Sequence, residues 1–154
     1  KVKLISMQDL RFEYCHIKTT NLMPNAFASE KATRAGADEV LWHRDGRVTE
    51  AAHSSILMVK DGALVMPPLD HWVLPGITRR VVHDICDKNG IRVEVREFTV
   101  DEVMDADEVI LTSASALCMR IVEVDGVSVG QKAPHTLKTL QDYLLNDFLT
   151  ETAK

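Results

Sequence analysis

Residues 40–66 read VLWHRDGRVTEAAHSSILMVKDGALVM, a run of short apolar segments divided by two Asp-Gly pairs. Asp-Gly favours a two-residue hairpin turn because both central residues of such a turn take positive φ. The alternating segments around these turns are typical of short strands; they cover 40–43, 47–50, 56–60 and 63–66. The run therefore predicts an antiparallel meander of four strands.

Before this meander, the sequence predicts two strands and one helix. The strands cover 1–6 and 10–17, and Thr19-Thr20-Asn21 offers N-cap side chains to a helix over 26–35. Gly36 is expected to end that helix, since glycine takes the left-handed conformation without strain.

After the meander, an apolar stripe predicts a second main helix, which begins near Ile77 and ends at Asn89-Gly90. Thr99 and Glu102 have the spacing of a capping box at the start of a short helix. Further strands are expected over 92–98, 108–112 and 119–125, and Leu137, Leu140, Leu144 and Phe148 form one face of a C-terminal helix. The pattern predicts one α+β domain with an antiparallel-rich sheet and three main helices.

Composition excludes several classes of protein. The chain has 154 residues, of which 45% are hydrophobic and 27% charged, which is typical of a single soluble domain. Its net charge of −5 argues against a nucleic-acid partner, and no apolar run is long enough to cross a membrane. The three cysteines are scattered, so we expect neither disulfides nor a metal site and place the chain in the reducing cytoplasm.

Two residues in this framework could carry chemistry. Lys18 lies between the second predicted strand and the first helix, where burial would desolvate its ammonium; desolvation favours a free amine, which can form a Schiff base with a carbonyl. Glu50 closes a predicted strand, and the small Ala51 and Ala52 after it would let a planar ligand approach the backbone. Most lysines and strand-end acids are merely solvated, so neither residue alone identifies a site.

Two short segments could bind an anion such as phosphate. Gly76-Ile77-Thr78 runs into a predicted helix, whose unpaired N–H groups and dipole favour negative charge. Thr112-Ser113-Ala114 follows a predicted strand and offers hydroxyls and accessible amides. Many helices begin in this way and many strands end in a polar turn, so both segments stay candidates.

Together these features occur in a recognisable order and spacing. The chain resembles the fold-type IV pyridoxal-phosphate (PLP) enzymes, and within them it is most similar to the D-amino-acid (D-alanine) aminotransferases. The resemblance extends from about Val2 to the final helix and is carried by four stretches: IKTTNLMPN at 17–25, HRDGRVTE at 43–50, LPGITR at 74–79, and DEV at 107–109 with TS at 112–113. It implies the large-domain fold of that family, a pseudo-barrel built from the antiparallel-rich sheet, and PLP as cofactor.

The resemblance also implies a role for each candidate residue. Lys18 would be the catalytic residue, because it would bind PLP as a Schiff base and then move a proton between substrate and cofactor. Glu50 would face the pyridine nitrogen and keep it protonated. The phosphate would be bound by backbone amides and hydroxyls of Ile77, Thr78, Ser113 and Ala114.

The chain departs from the family's pattern at three places. Ala51 to Ser55 replaces a common Gly-Ser-Ser-Ser-Asn, Ala114 stands where threonine is frequent, and His16 replaces a common aspartate. All three changes bear on how strongly the cofactor is bound.

Family members also contain a smaller N-terminal domain, to which no segment of this sequence corresponds. The resemblance therefore implies that residues 1–154 form the large C-terminal PLP-binding domain and that the residues trapping the substrate carboxylate lie outside it. It implies a homodimer acting on amino acids and 2-oxo acids, with D-alanine and 2-oxoglutarate as the typical pair. Branched-chain transamination, aminodeoxychorismate lyase activity and a non-catalytic isolated domain stay as alternatives.

Overall fold

The structure, a computed structural model, describes residues 1–153 and contains nine strands and four helices within them. In chain order these are β1 (Val2–Gln8), α1 (Met23–Arg34), β2 (Glu39–Arg44), β3 (Arg47–Ala51), β4 (Ser55–Lys60), β5 (Ala63–Met66), α2 (Ile77–Lys88), β6 (Val93–Val95), α3 (Val100–Met104), β7 (Glu108–Thr112), β8 (Met119–Val124), β9 (Val127–Ser128) and α4 (Pro134–Thr152). Among these helices, none has both the length and the hydropathy of a membrane-spanning segment.

All nine strands belong to one mixed sheet. Eight of them follow the order β3-β2-β1-β8-β7-β4-β5-β6, and β9 pairs with β8. The pairs β1–β2, β1–β8 and β5–β6 are parallel, and the other five are antiparallel. The predicted α+β class, the antiparallel-rich sheet and the three main helices are therefore confirmed, with α3 as a short fourth helix.

Both predicted Asp-Gly hairpins form, but the prediction that their four strands make one meander is wrong. The φ angles are 49° and 87° at Asp45 and Gly46, and 48° and 74° at Asp61 and Gly62, as the turn chemistry requires. However, β1, β8 and β7 lie between the β2–β3 hairpin and the β4–β5 hairpin. The β4 strand pairs with β7 instead of β3, and β4 and β7 are buried along nearly their whole length, as is typical of strands covered on both faces.

Residues 9–22 form a loop, so the strand predicted over 10–17 is wrong. The guanidinium of Arg11 turns inward to ion pairs, while Leu10 on the same segment is 80% exposed. The apolar residues Leu10, Phe12 and Tyr14 do alternate with charged residues, but all three are exposed, and Arg11 is buried instead. The predicted Thr19-Thr20-Asn21 cap is also wrong, because α1 begins at Met23 after Leu22 and has no side-chain cap.

Other predicted elements are present with shifted ends. The capping box is confirmed: Thr99 Oγ1 accepts a hydrogen bond from the Glu102 N–H at 3.2 Å, and Glu102 Oε2 accepts one from the Thr99 N–H at 3.0 Å. The strand expected over 92–98 shortens to the three residues of β6. Ile77 and Phe148, which were expected on apolar helix faces, are exposed.

The sheet curves so that its two faces bury different sets of residues. Alternate residues of β1–β5, β7 and β8 form one cluster inside the curve, for example Leu41, Met58 and Leu111. Their neighbours along the strands face α2 and α4 and form a second cluster. Because side chains alternate between faces, the uninterrupted apolar sequence of β4 supplies both clusters. A smaller cluster lies under α1. The pseudo-barrel expected from the resemblance is confirmed.

The cysteines allow a first test of this packing. Cys15, Cys86 and Cys118 are free and buried, and burial raises the pKa of Cys86 to about 11 and that of Cys118 to about 12. Because the thiolate is the reactive form, we expect Cys86 to react about 100-fold and Cys118 about 1000-fold more slowly at pH 8 in the native chain than in urea. Rapid modification of the folded chain by a thiol reagent would contradict this packing.

Candidate functional site

A buried network of charged side chains joins the end of β1 to β3. Arg11 donates to the Asp9 carboxylate from Nε at 2.9 Å and from Nη2 at 2.8 Å, and from Nη1 to Glu50 Oε1. Thr49 Oγ1 donates to Asp9 Oδ2 at 3.0 Å. The three charged side chains are each less than a tenth exposed, so their attraction is only weakly screened by water. The network ties the loop after β1 to the strand that carries Glu50.

Burial and charge act in opposite directions on this network. Burial would raise the pKa of Asp9, but the hydrogen bonds and charge of Arg11 lower it. Burial raises the pKa of Glu50, and the Arg11 charge opposes that rise. Burial would lower the pKa of Arg11, but the two carboxylates raise it well above its ordinary range. Arg11 is therefore the group that favours the ionised form of Glu50.

A second set of contacts fixes the loop at residues 67–76, which connects β5 to α2. Three pairs of residues hold it against the β2–β3 hairpin: Glu50 Oε2 accepts a hydrogen bond from the Leu74 N–H at 3.0 Å, the Arg44 guanidinium lies 3.5 Å from the ring centre of Trp72, and Arg47 pairs with Asp70. Since α2 begins where this loop ends, the contacts fix the start of α2 relative to Glu50.

The start of α2 faces the turn that follows β7. Thr78 Oγ1 donates to the Ser113 carbonyl at 3.0 Å, and Ser113 Oγ accepts from the Ala116 N–H at 3.2 Å. Gly76 precedes the helix without a side-chain cap. Within residues 1–153, the N–H groups of Ile77, Thr78 and Ala114 have no hydrogen-bond acceptor. The two segments predicted to bind an anion are therefore adjacent, with free donors.

Gly76 also brings the α2 start close to β4. A Cβ atom at this position would lie 3.2 Å from Ser55 Oγ, which is tighter than ordinary van der Waals contact. The absence of a side chain therefore lets the backbone before α2 lie against the buried end of β4.

Lys18 lies in the loop at 9–22 and is exposed, so the prediction that its side chain is buried is wrong. Two residues earlier, His16 lines a cavity of about 360 Å³ together with residues of the loop before α2, among them Asp70, His71 and Pro75. The cavity is therefore shared by the loop that carries Lys18, through His16, and the loop before α2. Within the described chain Lys18 makes neither an ion pair nor a side-chain hydrogen bond.

The structure brings most of the predicted residues together. Glu50 contacts the loop that leads to Ile77 and Thr78, and Thr78 contacts Ser113, which precedes Ala114. Lys18 joins this group only through its loop, which Arg11 ties to Glu50.

Sequence reasoning missed Arg11 and Asp9. Their signal in the sequence is weak, because Asp9 and Arg11 lie in a stretch where apolar and charged residues alternate, and only the structure shows that these two charged side chains are the buried ones. A buried charged side chain indicates a buried partner of opposite charge.

The chain matches a known protein family. The family model described as amino-transferase class IV matches residues 3–124. A D-alanine aminotransferase of Bacillus licheniformis is 38% identical over 154 residues, which cover 99% of this chain and 54% of that enzyme. The chain thus spans about half the length of the curated relatives it matches.

Solved structures have the same fold. A putative 4-amino-4-deoxychorismate lyase from Legionella pneumophila superimposes with a TM-score of 0.85 and 27% identity, over 95% of this chain and 55% of the other. A branched-chain amino acid aminotransferase from Escherichia coli has a TM-score of 0.81 and 26% identity, over 93% of this chain and 51% of the other. Both similarities extend along nearly all of residues 1–154.

Proposed function

The chain belongs to the amino-transferase class IV family, and from this premise we propose that it is the PLP-binding domain of an enzyme that transaminates D-amino acids. The observation that carries the proposal is the position of a buried carboxylate, supported by Arg11, next to an uncapped helix start with free N–H donors. The 38% identity to a D-alanine aminotransferase supports the choice of substrate.

The donor groups of the site fit the polar ends of PLP. Glu50 uses one lone pair on each oxygen for Arg11 and Leu74, and a carboxylate has about four lone-pair positions, so it can still accept a hydrogen bond from a ring N–H. The free N–H groups of Ile77, Thr78 and Ala114 suit a phosphate. An exposed lysine on one of the loops that share the cavity can reach an aldehyde.

In the proposed reaction, each of these residues has its own role. PLP, when bound, supplies an electron sink for the carbanion that forms at the substrate α-carbon. Lys18 Nζ would hold the aldehyde end of the cofactor and, as a free amine, would move a proton at the substrate α-carbon. Glu50 would accept a hydrogen bond from the ring nitrogen and hold a proton there. The phosphate would be held by Ile77, Thr78, Ser113 and Ala114.

The domain and its partners are part of the same proposal. We propose that residues 1–154 are the larger, cofactor-binding domain of a longer cytoplasmic enzyme, and that the residues trapping the substrate carboxylate belong to another domain. The half-length match to the relatives and the three free cysteines support this. Exposed apolar side chains on the segment that carries Lys18 and on the adjacent helix α1, among them Leu10, Tyr14 and Phe27, support a homodimer.

The proposal is tested by giving the protein that contains this chain PLP, D-alanine and 2-oxoglutarate. We expect D-glutamate and pyruvate in equal amounts, with no product when PLP is omitted. A second candidate, an aminodeoxychorismate lyase, is favoured by the Legionella structure. Pyruvate from aminodeoxychorismate without D-glutamate from D-alanine would establish that alternative. Transamination of L-leucine instead of D-alanine would establish a branched-chain enzyme, and absence of PLP binding would contradict all three.

A further inference from the structure

Two arginines of the described residues are buried, and they differ in their partners. Arg11 pairs with Asp9 and Glu50. Arg79, in the first turn of α2, is 6% exposed and donates from Nη2 to the Pro67 carbonyl at 2.6 Å, while its Nε is buried without an acceptor. Burial alone lowers the pKa of Arg79, because no acidic group is near enough to oppose it. A buried cation therefore lies at the start of α2 without a counter-charge.

A buried cation without a counter-charge destabilises the folded protein unless another group compensates for its lost hydration. Moving a guanidinium out of water loses its hydration, and one carbonyl replaces only a small part of that loss. Proteins almost always pair a buried charge with an opposite charge. The missing partner of Arg79 is therefore expected to come from outside residues 1–153.

Arg79 lies in the first turn of its helix, where the helix dipole is also positive and negative charge is therefore favoured. The start of a helix carries partial positive charge and favours acidic residues, as α3 illustrates with Asp101, Glu102 and a capping box. The first turn of α2 contains no acidic residue and no side-chain cap, and Arg79 is followed there by Arg80. Helix dipole and side chain thus have the same sign, and both favour an anion.

The side chain of Arg79 also leans toward that end of the helix. Side chains on a helix tilt toward its N-terminus. Consistent with this, the Cβ atom of Arg79 lies 3.8 Å from where a Cβ of Gly76 would be. Because Arg79 and the free N–H groups of Ile77 and Thr78 belong to the same first turn of α2, both contribute positive charge to that end of the helix.

We propose that Arg79 is the electrostatic counter-charge of the phosphate bound at the start of α2. It remains hydrogen-bonded to Pro67 and acts on the phosphate from behind the helix turn, so it is a positioning residue and not a direct ligand. The proposal rests on the proposed function, in which that phosphate belongs to PLP. It predicts that Arg79 strengthens binding of the phosphorylated cofactor specifically.

The experiment compares PLP with pyridoxal, which has the same ring and aldehyde but no phosphate. Dissociation constants of both are measured by absorbance titration of the protein that contains this chain and of three variants. Arg79→Gln removes the charge and keeps hydrogen-bond donors, and we expect it to weaken PLP about 30-fold and pyridoxal less than about 2-fold. Arg79→Lys keeps the charge and should weaken PLP less than about 5-fold. Arg80→Gln removes the exposed neighbouring charge and should change either ligand less than about 3-fold.

The outcomes separate this proposal from the proposed function. Equal weakening of PLP and pyridoxal in Arg79→Gln would mean that Arg79 only shapes the loop through Pro67, and unchanged PLP affinity would mean that it has no role; either overturns the proposal while the chain still binds PLP. Failure of the unmodified protein that contains this chain to bind either compound overturns the proposed function as well. If Arg79→Gln does not fold, Arg79→Lys decides, because a selective loss of PLP of about 30-fold in a variant that keeps the charge overturns the proposal.

Discussion

Replacing Lys18 with alanine is expected to lower kcat/KM for the proposed transamination by at least about 1000-fold, because in the proposed function this one residue both binds the cofactor and moves the proton. The fold should be unaffected. Lys18 is exposed and, within residues 1–153, makes no ion pair, and surface substitutions of this kind change the free energy of unfolding by about 0.5 kcal/mol or less. Thermal melting of the variant separates the two effects.

The position of covalent attachment gives a more direct test. Borohydride added in the presence of PLP should fix the cofactor on Lys18, and since trypsin does not cut at a modified lysine, the label should appear on the peptide of residues 12–31. Lys31→Ala is the matched control for turnover, because Lys31 is an exposed lysine of the adjacent helix α1. Since trypsin cannot cut at residue 31 of this control, its label should appear on the peptide of residues 12–34. Label on another peptide, or turnover retained by Lys18→Ala, would show that the assignment is wrong.

Arg11→Met should produce the largest loss of stability. It removes the cation that lies between two buried carboxylates, which leaves Glu50 without a cation and Asp9 with only its longer pair to Arg44 at 3.5 Å. Breaking a buried pair in this way costs about 3–5 kcal/mol. Urea denaturation measures the change. Arg34→Met is the matched control, since its ion pair with Glu30 is exposed and is worth about 0.5 kcal/mol. A double variant, Arg11→Met with Glu50→Gln, should recover part of the loss.

The same substitution should change the dependence of stability on pH. In the unmodified chain, Arg11 lowers the pKa of Asp9, so the stability that Asp9 contributes is present above its ordinary pKa and is lost only as the pH falls through the lowered value. The pKa of Glu50 is raised, so Glu50 contributes in the opposite direction. In Arg11→Met, Glu50 has no cation and Asp9 retains only Arg44, so protonation relieves both carboxylates more, and stability should rise more steeply than in the unmodified chain as the pH falls from about 7 to about 5. An unchanged pH dependence would mean that Arg11 does not neutralise these carboxylates.

Much of the fold could be predicted because it is specified by neighbouring residues. The Asp-Gly turns, the Thr99 capping box and the apolar stripe of α2 depend on φ preferences and on periods of two or 3.6 residues, which act over a few positions of the chain. These features are present in the structure. The order of strands is different, because β4 meets β7 across about 50 residues, and such pairing depends on total buried area and not on local pattern.

The candidate site divides in the same way. The sequence by itself determined the identity and order of Lys18, Glu50, the α2 start and the Ser113 turn, because these are short motifs with their own chemistry. Only the tertiary structure decided that Lys18 is exposed, that Arg11 meets Glu50 across 39 positions, and that Arg79 is buried without an acidic partner. Burial and ion pairing arise when segments that are distant in the sequence pack together. The order of charged residues along the chain therefore does not show which of them will be desolvated.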